Sequence, residues 1–375
     1  MKISIQKDVF IKAMSDVTKA ISGKVSLPIL SGVKITASTE GIFLICSNGN
    51  ISIERTIFLE QGGEELASLL KDGSVVLNGN FLYEIVKKLP GKDILIEVDK
   101  NNVTKVSSGK SKFSLNGMPA EEYPNFPKIE GEADVVLSSA DLSLLVKQTA
   151  FAVADTDTRP LLTGVNLLLK DGLNVVSTDS HRLARKQMKI SSKEDRQVTV
   201  PANALIELSK ILENEPEEKI EVILADNQAL FKTNNILFYS RLLEGNYPDT
   251  SKLIPSSFTT SLNIKVKTLL AALDRCSLIE TNAKDKVVTM EVKDNKAILT
   301  VSSPEIGNIE EVLEDIEIAG EDIKLTFSIK FTKAALKAFM SEKVKFELMG
   351  PQRPFIITAE NDPSLVQLIL PVRTY

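Results

Sequence analysis

Residues that do chemistry are scarce in this chain. Among 375 residues there is one histidine, His181, and there are two cysteines, Cys46 and Cys276, far apart in sequence. That leaves no ligand set for zinc, so no metal is expected. With nothing resembling an export signal, both thiols are expected to be reduced, structural and cytoplasmic. No Gly-rich loop leads into a helix through Lys-Ser/Thr, so there is no phosphate cradle and no cofactor is expected. No apolar stretch reaches the ~18–20 residues that span a bilayer, which argues against a membrane helix. The opening Met1-Lys2-Ile3-Ser4-Ile5-Gln6-Lys7-Asp8 alternates like a strand and lacks the apolar core of a signal peptide. Excess positive charge is missing too. Lys and Arg number 45 against 50 Asp and Glu, for a formal net charge of −5. Tight duplex binders gain affinity by neutralising phosphates. This composition argues against one, but leaves room for a protein that holds nucleic acid loosely through local lysines.

What is present is an ordinary globular composition, 43% hydrophobic and 25% charged, in a length that suggests two or three domains. Residues 2–6 predict a strand, and Asp8 is placed to cap a helix over about 8–20 with Val9, Phe10, Ala13, Met14 and Val17 on one face. Strands are expected over 31–37, 42–46 and 51–59, then a polar segment over 60–73. The order repeats. Ser74 to Leu77 predicts a strand and Asn80 to Leu89 a helix burying Phe81, Leu82, Ile85, Val86 and Leu89. Three strands follow near 93–98, 103–107 and 111–115.

The whole pattern then recurs at longer period, the sign of repeated units. Leu27-Pro28-Ile29-Leu30-Ser31-Gly32-Val33 matches Arg159-Pro160-Leu161-Leu162-Thr163-Gly164-Val165, and Tyr123-Pro124 matches Tyr247-Pro248. A third, fainter copy places helices at Val266 to Leu273 and Lys333 to Met340. The expected fold class is α+β, with three tandem pseudo-repeated domains over 1–120, 130–249 and 257–375. Each holds two strand-helix-three-strand units. The six helices carry lysines off their apolar faces, and a solvated face is the default meaning of such charges.

His181 lies in Thr178-Asp179-Ser180-His181-Arg182-Leu183-Ala184, after the apolar run Leu173 to Val176. Asp179-Ser180 has turn chemistry, so a strand-to-strand turn is expected, with His181 and Arg182 presented beside it. The bland reading of a lone histidine in a turn is that it is exposed or bonded locally. Three contiguous residues rarely converge on one reacting atom, so a catalytic role is disfavoured.

This heptapeptide, together with Leu242-Leu243-Glu244-Gly245-Asn246-Tyr247-Pro248-Asp249 and the tail Leu370-Pro371-Val372-Arg373, resembles signature segments of the bacterial β sliding clamps, the processivity subunits of DNA polymerase III. The resemblance runs the length of the chain. It implies the DNA clamp fold, a head-to-tail homodimer closed into a ring with sheets outside and helices lining the hole, and double-stranded DNA threaded through it. It also implies a non-enzymatic role in replication and repair. Partners would be the DNA polymerase III α-type subunit, the clamp loader and other proteins with clamp-binding motifs, and no membrane. A ring retains DNA by topology and needs little phosphate affinity, which suits an acidic chain.

Position by position, the resemblance implies a partner-peptide groove walled by Arg159, Leu161, Leu162, Thr178, Ser180, His181, Arg182 and Leu183. Pro248, Lys252 and Leu253 continue it, and Ser328, Phe331, Pro354, Leu368, Ile369, Leu370, Pro371, Val372 and Arg373 close it. Apolar side chains would take hydrophobic anchors while Arg182, His181 and Arg373 bond polar groups. Ser180, Asp285, Ser328 and Phe331 depart from the common family pattern, which bears on the groove's sequence preference. Lys24 is the position best matched to DNA binding. Lys12, Lys19, Lys87, Lys147, Lys210, Lys267 and Lys337 follow from their place on the expected inner helices. The implied dimer seam pairs Phe113 and Leu115 with Leu278 and Ile279. A monomeric peptide-binding scaffold is the rival reading, separated by sedimentation and by comparing circular with linear DNA.

Overall fold

In the computed structural model, residues 1–21, 27–125, 129–156, 158–213, 215, 218–279 and 286–373 are described. Lys24 and Asp285 lie outside them. Contacts group the chain into two compact units, Met1–Ala140 with Glu207–Leu242, and Asp141–Ile206 with Leu243–Tyr375. The segment expected as a central domain, 130–249, contributes to both.

Six helices are seen among the described residues: α1 (Lys7–Val17), α2 (Gly79–Lys88), α3 (Ser139–Thr149), α4 (Ala202–Leu212), α5 (Val266–Cys276) and α6 (Ile329–Ala338). Each follows directly on a strand and is followed by three more. The strand-helix-three-strand order therefore occurs six times, the faint third copy included. Asp8 does not cap α1, contrary to expectation. The strand Lys2–Gln6 runs straight into the helix, Gln6 stands at the cap without a side-chain bond, and Asp8 lies in the first turn, where a negative charge suits the helix dipole. In α2 the Asn78 side chain accepts the Phe81 N–H, and in α6 Ser328 accepts that of Phe331.

The first unit contains a five-stranded and an eight-stranded sheet, the second a nine-stranded and a four-stranded one. The segment expected to be merely polar, 60–73, is a correction. It carries the strand Ala67–Lys71, which pairs antiparallel with Lys2–Gln6. Ala67, Leu69 and Leu70 are its apolar residues, and Leu66 precedes them in an otherwise polar run, too weak an alternation to announce a strand. At the other edge of this sheet lies Ser111–Asn116, paired on one side only. The eight-stranded sheet is joined where Ile236–Arg241 pairs with Ile51–Ile57. The nine-stranded sheet is joined in the same manner, by Leu365–Ile369 on Arg182–Met188.

Apolar alternation and helix faces fill the interior. Phe10, Met14, Leu82, Ile85 and Val86 are buried in the first unit, and Leu269, Leu273, Phe327, Leu336 and Phe346 in the second. Phe81 is not, against expectation. It is 57% exposed at the start of α2, because Leu82, Ile85 and Val86 already fill the inward stripe. Both cysteines are free and buried, one in each unit, and burial pushes both thiols above their usual range. Gly32 and Gly164, the matched glycines of the two landmark segments, sit against a neighbouring strand. A Cβ on either would come within 2.4 Å of Val76 Cγ1 or 2.6 Å of Thr199 Cγ2 respectively. No helix among the described residues is long and apolar enough to cross a membrane.

Candidate functional site

The turn after Leu173–Thr178 is built by its own side chains. Asp179 Oδ1 accepts the N–H groups of His181 and Arg182, each at 2.9 Å. The Thr178 hydroxyl donates to Arg182 O at 2.6 Å and accepts the Ser180 N–H at 3.1 Å. Ser180 is thereby held at φ 77°, a left-handed conformation that costs a non-glycine residue about 1 kcal/mol. Arg159 reaches over and donates Nη1–H to Ser180 Oγ at 3.3 Å. His181 stands exposed at the tip, as the turn chemistry predicts.

Arg182 is the correction here. It opens the next strand and is only 7% exposed. Its Nε–H donates to Asp179 Oδ2 at 2.9 Å. The Phe331 and Phe151 ring centroids lie 4.5 and 5.5 Å from its guanidinium carbon. Carboxylate and rings together offset the cost of burying this charge. Phe151 and Phe331 are remote in sequence, so the burial could not be read from the heptapeptide.

Beneath the turn lies an apolar floor. Leu162, Leu183 and Leu368 cluster with Val176, Tyr247, Ile356 and Val366, and Leu161, Ile254 and Phe258 pack at the margin. Burial pushes the Tyr247 phenol above its ordinary range, and the nearby Asp179 charge adds to this. The tail leaves the sheet beside the turn. Leu370 N–H donates to His181 O at 2.9 Å, and Val372 N–H donates to Thr326 O at 2.7 Å. Pinned at both points, the tail keeps Leu370, Val372 and Arg373 exposed and Pro371 half-buried, an apolar ridge bordering the floor.

The sequence-predicted groove residues divide accordingly. Arg159, Thr178, Ser180, His181 and Arg182 share one bonded turn. Leu161, Leu162, Leu183 and Leu368 share the floor. Ile369 is buried in the neighbouring core, against which Phe331 packs. Ser328 is buried, with its hydroxyl accepting the Phe331 N–H at 3.3 Å and its carbonyl accepting the Thr332 hydroxyl. It braces the first turn of α6. Pro248, Lys252 and Leu253 are exposed beside Tyr247 and Ile254, and Pro354 is half-buried. Sequence reasoning missed Asp179, Phe151, Tyr247 and Phe258 as site residues. Only Tyr247, in its Tyr-Pro landmark, and Asp179, in its turn, had a signal to offer.

The helix lysines are mostly matched by carboxylates. Lys12 meets Glu215 at 2.5 Å, Lys19 meets Asp16 at 3.8 Å, Lys87 meets Glu84 at 2.8 Å and Lys210 meets Glu207 at 2.7 Å. Lys147, Lys267 and Lys337 are exposed and, among the described residues, form no ion pair. Around Arg55 the first unit gathers Asp16, Glu215 and Glu218. Burial works against the Glu215 charge, yet hydrogen bonds from Glu218, Lys12 and Arg55 hold its pKa down to about 2. Burial and the bond to Glu215 push Glu218 up. Asp16 is pushed up by burial, which outweighs Arg55, Lys19 and Lys12. Of the residues expected at a dimer seam, Phe113 is 40% and Leu278 73% exposed, and Leu115 and Ile279 are half-buried.

Known proteins resemble this chain over its whole length. The DNA polymerase III β-subunit profiles match in series: the N-terminal domain over 1–127, the central domain over 136–249 and the C-terminal domain over 251–373. The β sliding clamp of Bacillus subtilis is 42% identical over 379 residues, and that of Staphylococcus aureus 40% over 377, each covering the whole of both chains. The crystal structure of the Bacillus subtilis clamp superposes with a TM-score of 0.96 at 41% identity, and the Streptococcus pneumoniae β chain with 0.95 at 37%, both over the full length of each chain. The chain has the three-domain clamp fold and belongs to the DNA polymerase III β-subunit family, the bacterial β sliding clamps.

Proposed function

We propose that two copies of this chain close head to tail into a ring of six pseudo-equivalent domains that encircles duplex DNA in the cytoplasm and tethers the replicative polymerase. What carries this reading is the family match, continuous over all three domains. Sliding clamps of DNA polymerase III are processivity factors rather than catalysts, so the function is mechanical. The expected divisions at 1–120, 130–249 and 257–375 would be its domains.

Three physical features support the reading. Four of the seven described candidate lysines are neutralised by neighbouring carboxylates, which weakens phosphate adhesion and favours sliding. Lys147, Lys267 and Lys337 are then the best-placed contacts, beside Lys24. The edge strand Ser111–Asn116 offers unpaired backbone together with Phe113 and Leu115, and exposed edges of this kind invite pairing with another chain. Leu278 and Ile279 would meet them from the partner. The floor under Thr178–Arg182, bordered by the Leu370–Arg373 tail, suits an extended peptide with apolar anchors. Its ligands would be the clamp-binding segments of the polymerase α-type subunit, the clamp loader and repair proteins.

Topology gives the decisive test. The purified protein, loaded by its clamp loader onto a nicked circular plasmid, should co-elute with the DNA in a sizing column at moderate salt. It should be released when the plasmid is cut once. Equal retention on circles and on linear DNA with free ends would overturn the ring.

A further inference from the structure

The turn at the candidate site has a twin 131 residues earlier, and the hydrogen bonds fix the correspondence atom by atom. Ser47 Oγ donates to Ile51 O at 3.1 Å and accepts the Gly49 N–H at 3.1 Å, as Thr178 does with Arg182 and Ser180. Asn48 Oδ1 accepts the N–H groups of Asn50 and Ile51, as Asp179 does for His181 and Arg182. Gly49 has φ 88° where Ser180 has 77°. The joining strand obeys the same register. Arg241 N–H donates to Asn50 O at 2.9 Å, just as Leu370 donates to His181 O. Arg241 therefore stands where the other site has Leu370, Tyr239 where it has Leu368, and Ser52 where it has Leu183.

A cavity of about 200 Å3 lies at this twin, lined among others by Leu30, Ser52, Pro124, Tyr239 and Arg241. Leu30 and Pro124 are the matched landmarks of Leu162 and Pro248. Pro124, Asn125 and Tyr239 also line an adjoining cavity of about 650 Å3 with an apolar side formed by Ile45, Ile223, Leu230 and Leu237. The frame of the candidate peptide groove thus occurs twice, each time within a single compact unit, with leucines replaced by polar groups in the first copy. Arg241 is exposed and, among the described residues, makes no ion pair. Among the described residues it is the only charged side chain lining the smaller cavity, while Lys34 and Lys232 balance Glu54 and Glu130 along the larger one. The excess positive charge of the groove therefore sits at Arg241.

We infer that the groove at Ser47–Ser52 and Tyr239–Arg241 is a second docking site, for an extended acidic peptide that sets a carboxylate against Arg241 and an apolar side chain beside Ile45 and Leu237. The inference rests on the reading of the Thr178–Arg182 site as a peptide groove. Guanidinium recognises carboxylate through paired, charge-assisted hydrogen bonds, and Asn50, Gln228 and the Tyr239 hydroxyl supply further donors. The larger cavity carries as many lysines as carboxylates, so the choice of an acidic peptide falls to Arg241.

The test uses the full-length protein labelled at isoleucine methyl groups, and two acetylated nonapeptides, one alternating leucine with aspartate and one alternating leucine with lysine. The Leu-Asp peptide should shift the Ile45 and Ile223 methyl resonances saturably. The Leu-Lys peptide should bind at least tenfold more weakly. Arg241→Glu should weaken Leu-Asp binding at least tenfold, and Arg241→Lys should retain most of it. Equal binding of both peptides, indifference to Arg241→Glu, or no saturable shift at millimolar peptide would each overturn the inference. Ile356, in the floor of the other groove, reports separately on the polymerase clamp-binding peptide. Its silence towards that peptide would count against the proposed function, whatever Ile45 does.

Discussion

The turns Asn48–Ile51 and Asp179–Arg182 share one backbone and one hydrogen-bond pattern, yet they end on opposite chemistry. The first closes on a half-buried isoleucine. The second closes on a buried arginine held by a carboxylate and two aromatic rings. The frame is thus a property of the repeat, set by a Thr or Ser hydroxyl, an Asp or Asn side chain and a left-handed residue. What the frame presents is set by single positions, and by partners such as Phe331 that arrive from far along the chain.

The largest break in this comparison comes from Arg182. Arg182→Ala leaves the half-buried Asp179 without its cation and opens space between two rings, and should cost about 3 kcal/mol. Ile51→Ala, the same position in the twin, should cost about 1 kcal/mol. Urea unfolding of both variants tests the contrast, and equal losses would show that the second turn gains nothing from its ion pair.

A second contrast is one of pH. In the second unit, burial raises Asp362, but Lys186, Ser364 and Gln148 bond its carboxylate and bring it below its usual range. A lowered folded pKa gives stability that is present above the unfolded value and lost as pH falls through the folded one. Glu215 behaves likewise in the first unit, losing its contribution as pH drops from about 4 towards its folded value of about 2. Glu218 and Asp16 are raised, so their sign is reversed. They cost stability as pH rises from the unfolded value through their own. Glu218→Gln should therefore raise the urea midpoint of the first unit at pH 7 relative to pH 4. An unchanged pH profile would mean that the pair is not sharing a proton.

Smaller effects sharpen the comparison at the left-handed position. Gly49→Ala should destabilise by about 1 kcal/mol and Ser180→Gly should gain less than that, since Ser180 would lose its bond from Arg159. Thermal melts of the two variants moving the same way would contradict the equivalence of the turns. The smallest effect is expected from Asn48→Asp. No cation stands where Arg182 stands in the twin, so the change should fall within about 0.5 kcal/mol.

Much of this was legible in the chain. The landmark pair Leu27–Val33 and Arg159–Val165 announced the repeat, because the Pro-initiated turn and the glycine pressed on its neighbour are both needed to start the same strand. The apolar periodicity placed α1, α2, α5 and α6 to within four residues at either end, the start of α6 being the most displaced, whereas α3 was given no bounds. The strand Ala67–Lys71 was not legible, because its partner is at the other end of the unit and its pattern is weak. Phe81 was misjudged because a periodic stripe does not say how wide the buried arc is. Within the site the floor leucines and the turn could be read locally. The burial of Arg182 could not, being fixed by rings 31 and 149 positions away.

The two enclosed thiols have a practical consequence. With Cys46 in one compact unit and Cys276 in the other, the natural chain already carries a separate internal clock for the opening of each. A thiol-reactive dye can label either cysteine only when its surroundings part, so the pace of labelling reports how often each half breathes, with no engineered probe to disturb it.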